Sequence, residues 1–497
     1  MKRILVANRG EIAVRIMRTC RELGIETVAV YSSVDRDSLH VLRADRGLEI
    51  GPPDPQSSYL DFDRLLDAAK RSGTDAIHPG YGFLAENGAF ARAVIDAGLV
   101  WIGPDPETIE RMGDKIVARA AATEAGVPPV PGAELTWDQE SDLAAARRVG
   151  FPLMVKASGG GGGKGMRVIS SESELAAAIE RASNEAGKAF GNAEVYIERA
   201  VVGARHVEVQ LIGDGRGRVA VLGERDCSIQ RRHQKLVEES SCVALTDESR
   251  RSLWDKAAAL AERVEYRGAG TVEFLLDRSG ETWFLEMNTR IQVEHPVTEL
   301  VTGTDIVREQ IAVARGEELR LPDHPAEIRG HAIECRICAE DPGNNFLPAA
   351  GAIDRLQEPS GPGVRIDSGI YPGFQVGLHY DPLLAKLIVW GRDRDHAVRR
   401  MARAIDEYRI HGVATTLPFH RFVMNDEVFR SGEATTAFVE ERLGSDSLRP
   451  SENLALAAAI ASVVHRREQG RAVEIRAGQG KDESGGWWSR RELWRRR

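Results

Sequence analysis

The chain predicts a protein of mixed α/β and α+β class in two to four domains, and three features carry that expectation. Its opening alternates strand, helix and strand; a run of glycines sits between two short strands; and long stretches of alternating polarity read as hairpins. At 497 residues the chain can bury several cores, and 42% hydrophobic with 28% charged residues is ordinary for a globular protein. A formal net charge of -9 gives no support for a nucleic-acid surface. The first residues, "MKRILVANRGE", hold only a short apolar run, too brief for a secretion signal, and no stretch approaches membrane-span length. A cytoplasmic location is therefore the expectation.

"ILVAN", "GEIAVRIMRTCRELG" and "ETVAVYSS" read as strand, helix and strand, with Ile12, Ile16, Cys20 and Leu23 near helical spacing. "FDRLLDAAKRSGTDAIHPGYG" and "AFARAVIDAGLVWIG" continue the alternation, so residues 1–113 form a doubly wound α/β domain. It lacks GxGxxG, which argues against a dinucleotide. Residues 114–131 are expected as a linker, on the Pro and Gly content of "GVPPVPG". Residues 132–203 carry the glycine run, and the helix after it starts at a capping box, Ser171 to Glu174. "HVEVQLIG" and "RVAVLGERDCS" then alternate around "DGRG" as a second hairpin, opening a large unit, 204–446. Residues 447–497 form an extension, Ala-rich at first and ending "GGWWSRRELWRRR", for which partial disorder is the simplest expectation. Five cysteines in so long a chain make no disulfide framework; Cys335 and Cys338 fall on a predicted strand and read as buried thiols facing opposite ways.

The chemistry concentrates in three places. "KASGGGGGKGM" does not fit a Walker A loop, because Ser158 stands where a Gly is needed and Gly165 follows the lysine. Strands on both sides make it a hairpin tip, either a plain surface turn or a mobile flap whose amides, with Lys156 and Lys164, form an anion nest. "FLEMNTRIQVEH", read as one strand, puts Glu286, Asn288, Arg290, Gln292 and Glu294 on a single face. "TVEFLLDRSGETWFLEM" turns at Ser279 and Gly280, and an even-length loop there sets Glu273 opposite Glu286. Such like charges are destabilising unless a cation lies between them, and hard oxygens beside nucleotide phosphates suit Mg²⁺. "ERDCSIQRRHQK" gathers Arg225, Arg231, Arg232, His233 and Lys235, by itself a solvated basic loop; in the tight turn "HPGYG", Tyr81 is either a core aromatic or a stacking surface. A nucleotide held by Mg²⁺ between flap and sheet accounts for the three features together, which points to ATP-dependent ligation.

"ANRGEIA", "HPGYGFLAEN", "MGDK", "KASGGGGGKGMR", "RHVEVQ", "GERDCSIQRRHQK", "GAGTVEFL", "EMNTRIQVEHPVTE" and "ECRICAEDP" follow one another in the order found in the biotin carboxylases, which the chain resembles from Met1 to about 446. The resemblance implies an ATP-grasp fold with a doubly wound N-terminal domain, a mobile glycine-rich lid and a C-terminal biotin carboxylase domain. It implies ATP contacts from Lys115, Lys156, His206, the flap residues Gly160, Gly161, Gly162, Gly163, Lys164 and Gly165, and from Met166, Glu198, Gln230, His233 and Leu275. Glu273, Glu286 and Asn288 are implied to hold Mg²⁺ or Mn²⁺, and Arg290, Gln292, the Val293 amide and Lys235 to hold bicarbonate. Glu294 is the implied general base, while Tyr81, Gly82 and Arg336 serve biotin. No "AMKM" biotinyl-lysine site and no carboxyltransferase sequence occur. Biotin is thus expected on a separate biotin carboxyl carrier protein, and a carboxyltransferase subunit is the second expected partner. Pro362 stands where the family often has an aromatic dimer contact, yet a homodimer remains the expectation. Two alternatives stay open: another ATP-grasp ligase joining a carboxylate to an amine, and a non-catalytic ATP-binding regulator. Trp487, Trp488 and Trp494 among the terminal arginines suit docking to a partner subunit or to an acidic membrane surface, of which weak docking to a partner subunit is the expectation.

Overall fold

Five parallel strands open the chain: β1 (Arg3–Val6), β2 (Glu26–Ser32), β3 (Arg46–Gly51), β4 (Ala76–His78) and β5 (Val100–Trp101), ordered β3-β2-β1-β4-β5 in the computed structural model. The order reverses on either side of β1, as in doubly wound sheets. The structure describes residues 1–157, 166–190, 193–321, 327–444, 448 and 460–466. The chain separates into two units, Met1–Ser445 and Asp446–Arg497. Ile12, Ile16 and Cys20 of the helix Gly10–Glu22 are fully buried as their spacing predicts, and Leu23 ends it half-buried. Glu11 and Arg15 of the same helix are buried too, and Arg15 reaches Glu299 and Asp305, both at 2.8 Å.

The expected linker 114–131 is mostly a helix. The Asp114 carboxylate accepts the amides of Ile116 and Val117 and caps Lys115–Glu124, whose alanines favour helix, so only 125–131 connect. Next, β6 (Gly132–Glu134), β7 (Leu153–Ala157), β8 (Arg167–Ile169) and β9 (Val195–Arg199) form a sheet ordered β6-β9-β7-β8. β7 and β8 pair as the expected hairpin. Its tip, with Gly160 to Gly165 and Lys164, lies outside the described residues. The expected capping box closes differently: the Ser171 hydroxyl bonds the Glu174 carboxylate at 2.9 Å, and a short 3₁₀ turn precedes the helix Leu175–Phe190.

An eight-stranded antiparallel sheet organises the rest of this unit. Its strands are β10 (Arg205–Asp214), β11 (Val219–Arg231), β12 (Gln234–Ser240), β13 (Arg267–Leu276), β14 (Thr282–Asn288), β15 (His331–Cys338), Val364–Ser368 and Leu383–Gly391. Their order is β14-β13-β10-β11-β12-β15, then Leu383–Gly391, then Val364–Ser368. On one face Val207, Val209, Val272 and Phe274 share a core with Leu253, Ala257 and Leu260 of the helix Asp247–Arg263. Alternation along each strand sends the neighbouring polar residues to the other face. Cys335 and Cys338 are buried free thiols.

Glu273 pairs with Glu286 as expected, but not through an even-length loop. Leu276 pairs with Thr282, leaving five residues, 277–281, whose turn is fixed by Asp277 accepting the amides of Ser279 and Glu281. That odd loop alone would set Glu273 against Leu285; a bulge at Leu285 advances β14 by one residue and restores the carboxylate pair. In the second unit, 460–466 are helical, within the Ala-rich stretch; the terminal tryptophans lie outside the described residues. No described helix is long and apolar enough to cross a membrane.

Candidate active site

Lys235 of β12 projects its ammonium among three carboxylates: Glu208 at 2.6 Å, Glu273 at 2.8 Å and Glu294 at 2.7 Å. Glu208 and Glu273 are direct register partners on β10 and β13, a repulsive pair unless cations flank it. Arg225 supplies the second cation from within the protein. Fully buried, it donates to Glu208 at 2.5 Å, Gln210 at 2.8 Å, Thr298 at 2.9 Å and Thr271 at 3.2 Å. The expected basic loop is therefore divided: Arg225 lies beneath the site, whereas Arg232 and His233 form the left-handed turn between β11 and β12.

The predicted strand through Glu294 ends at Asn288. Residues 289–294 turn into the helix His295–Thr302, with Glu294 at its N-cap; Pro296 in its first turn suits a helix start and could not serve a strand ladder. Convergence thus comes from the turn, not from strand alternation. Glu294 is completely buried, with Arg336 donating to it at 2.9 Å while also donating to Glu238 at 2.5 Å. Burial alone would raise the Glu294 carboxyl, but Lys235 first, then Arg336 and Arg225, hold it well below the usual range. Arg290 is turned instead to Glu86 at 2.7 Å, Gln292 at 2.9 Å and Asn288 at 3.0 Å. The sequence does not single out Glu86, because nothing in its spacing relates it to a residue two hundred positions later.

Glu273 is also approached by His206 Nε2 at 2.9 Å. Burial is the largest influence and disfavours the imidazolium, but the charge and hydrogen bond of Glu273, with the charge of Glu208, together raise the pKa of His206. Against burial, Lys235 and then His206 hold the Glu273 carboxyl well below the usual range, whereas burial, then the charge of Glu273, push the Glu286 carboxyl up, against Lys115 and Lys156. Asn288 donates to Glu273 at 2.8 Å, while its amide oxygen accepts from Arg290 at 3.0 Å. The Glu273 and Glu286 oxygens fit a divalent hard cation, since the charge they crowd together is what it would offset. His206, Glu208 and Glu273 also converge within 4.8 Å, but the Lys235 ammonium already contacts both carboxylates there.

The remaining expected ligand contacts surround this centre. Lys156 and Arg119 both pair with the Glu198 carboxylate, so that side chain is occupied. Lys115 is the first residue of its helix. Gln230 is the register partner of Lys235, and Leu275 of His206. Partial burial and Lys156 lower the pKa of His233, and Met166 resumes the described chain half-buried. In the 78–82 turn Gly80 and Gly82 both have φ of 66°, which favours glycine. Asn8 holds the turn by donating to the carbonyls of Pro79 and Tyr81 at 2.7 Å, and the Tyr81 hydroxyl donates to Glu11.

Three family models match in succession: "Biotin carboxylase, N-terminal domain" over residues 1–109, "Carbamoyl-phosphate synthase L chain, ATP binding domain" over 114–321, and "Biotin carboxylase C-terminal domain" over 334–441. The chain is 52% identical over 440 residues to a biotin carboxylase of Nostoc sp., covering 88% of this chain and 98% of that one. It is 51% identical over 442 residues to biotin carboxylase 1 of Bacillus subtilis, covering 88% and 98%. Among solved structures, the biotin carboxylase domain dimer of Hydrogenobacter thermophilus 2-oxoglutarate carboxylase, with MgADP, ADP and bicarbonate, matches at TM-score 0.87 and 46% identity, covering 91% and 99%. A Campylobacter jejuni biotin carboxylase in a β,γ-ATP complex matches at TM-score 0.86 and 42% identity, covering 89% and 99%.

Proposed function

The chain belongs to the biotin carboxylase family of ATP-dependent ligases, and we propose that its charged sheet face carries out ATP- and bicarbonate-dependent carboxylation of biotin through carboxyphosphate. The observation that carries this reading is Glu294, buried and gripped by Lys235 and Arg336 beside the facing acids Glu273 and Glu286. Bicarbonate lies against Arg290, Gln292, the Val293 amide and Lys235. The surrounding cations keep Glu294 ionised at neutral pH, the state a base needs, although they also weaken it. An incoming anion draws on the same cations, and sharing them returns basicity to Glu294 at the moment a proton must be taken.

Lys115, Lys156, His206 and Met166 face the phosphates, to which Gly160 to Gly165 and Lys164 are also assigned; Glu198, Gln230, His233 and Leu275 surround the nucleoside. Mg²⁺ on Glu273, Glu286 and Asn288 supplies charge neutralisation for phosphoryl transfer. Arg336, already aligned by Glu238 and Glu294, faces the biotin ureido oxygen and stabilises its enolate-like charge, with Tyr81 and Gly82 bounding the ring. We assign the biotin to a separate carrier protein and the next step to a carboxyltransferase partner, with a two-fold homodimer as the working assembly and the cytoplasm as its place. The dimer of the Hydrogenobacter domain supports the assembly.

ATP hydrolysis measured with and without bicarbonate and free biotin tests the reading. Dependence on both is expected; dependence on an amine, or nucleotide binding without turnover, would overturn it. Glu294→Gln should keep nucleotide affinity and lose carboxylation by about 10²–10⁴-fold, the usual range for a general base. Full activity in that variant would remove Glu294 from its role.

A further inference from the structure

Lys386 lies in the strand Leu383–Gly391 with no solvent exposure. Its ammonium donates to the Val293 carbonyl at 2.9 Å and lies 3.2 Å from Glu11 and 3.9 Å from Asp367. Asp367 is already gripped by Arg365 at 3.1 and 2.8 Å, so Glu11 is the closer counter-charge of Lys386. Glu11 reaches across from the first helix of the chain, and its other oxygen accepts the Tyr81 hydroxyl. One line of contacts therefore runs from Tyr81 through Glu11 and Lys386 to Val293, joining the 78–82 turn to the turn that carries Glu294.

We propose that Lys386, held by Glu11, is a positioning residue that fixes the peptide bearing Glu294 and ties it to the biotin-facing Tyr81. Two adjacent peptides need fixing here. The Gln292 carbonyl lies 2.8 Å from His295 Nδ1. Burial, then Lys386, lower the pKa of His295; because a carbonyl oxygen only accepts, Nδ1 is the donor here and thereby sets the direction of the Val293 N–H. The next peptide has its oxygen on Lys386, which sets the Cα of Glu294. An apolar side chain at 386 could fill the space, and buried ion pairs are often replaceable by apolar groups without loss of stability. Packing therefore does not require a charge there; orienting a carbonyl does. Lys386 is also the register partner of Arg336, and it is the main group opposing the burial-driven rise of the Glu334 carboxyl on β15. The groups facing it are thus Glu11, Asp367 and Glu334 on three different elements.

This inference rests on bicarbonate binding at 290–294. Lys386→Met and Lys386→Arg should be compared with the wild type in the full chain by bicarbonate-dependent ATP hydrolysis, with and without free biotin. Lys386→Met is expected to raise KM for bicarbonate about tenfold or more, a step typical of misplacing a binding group, with KM for ATP unchanged, and Lys386→Arg to recover part of the loss. An unchanged bicarbonate KM, or equal rises in both KM values, would overturn the proposal. Should Lys386→Met fail to fold, Glu11→Gln, which keeps shape and the Tyr81 contact, should raise KM for bicarbonate and for biotin while sparing ATP; no change in either would overturn it equally. Bicarbonate-dependent hydrolysis lost in Glu294→Gln but kept in both brace variants would leave the site reading intact and remove only the brace.

Discussion

Two sides of the same pair of strands follow different rules. Val207, Val209, Val272 and Phe274 line one side of β10 and β13; His206, Glu208, Thr271 and Glu273, one residue along, line the other. The backbone ladder is common to both. On the apolar side stabilisation grows with buried area and depends little on direction, so two helices, Lys115–Glu124 and Asp247–Arg263, serve as a cover through buried alanines and leucines. On the charged side every group needs a counterpart at a set distance, and those counterparts come from β11, β12, β15, the 289–294 turn and, through Glu86 and Glu11, the N-terminal domain. The apolar face tolerates small errors, whereas the charged face holds together or fails as a network.

The sharpest way to break this contrast is to remove a central cation. Arg225→Ala leaves Glu208 buried with half its compensation and should cost about 3–5 kcal/mol in urea denaturation. The pair Arg225→Met with Glu208→Gln should regain most of that stability without regaining carboxylation. A single variant as stable as the wild type would show that the network is not cooperative.

Leu260→Ala on the apolar side should cost about 2–5 kcal/mol, with KM values for ATP and bicarbonate unchanged. A selective rise in either would mean that the faces are coupled.

The smallest effect is in pH. Burial, aided by Glu294 and opposed by Arg336, raises the Glu238 carboxyl to about 7. Between its ordinary value near 4.3 and that point the folded state holds a proton the unfolded chain lacks, so stability rises as pH falls through this window, by at most about 1.4 kcal/mol per pH unit. Glu238→Gln should flatten the slope; an identical pH profile in denaturation midpoints would refute the assignment.

Much of this was legible in one dimension. The helix Gly10–Glu22 followed from apolar spacing, the β10–β11 and β13–β14 hairpins from alternation, and the facing of Glu273 and Glu286 from counting across a turn. Even there the count succeeded only because a bulge cancelled an odd loop. The helix at 115–124 was hidden by the proline-rich segment after it, and the strand expected through Glu294 stopped six residues early because Pro296 begins a helix.

The sequence by itself determined which chemical groups the protein has to work with and the local segments that present them, since propensity, periodicity and motif order act between near neighbours. Only the tertiary structure decided that Arg290 answers to Glu86, that Arg225 sits under the site rather than in solvent, and that Lys386 reaches Val293. The physical reason is that a buried charge is matched by whichever partner folding brings within about 3 Å, and that proximity leaves no periodic trace along the chain.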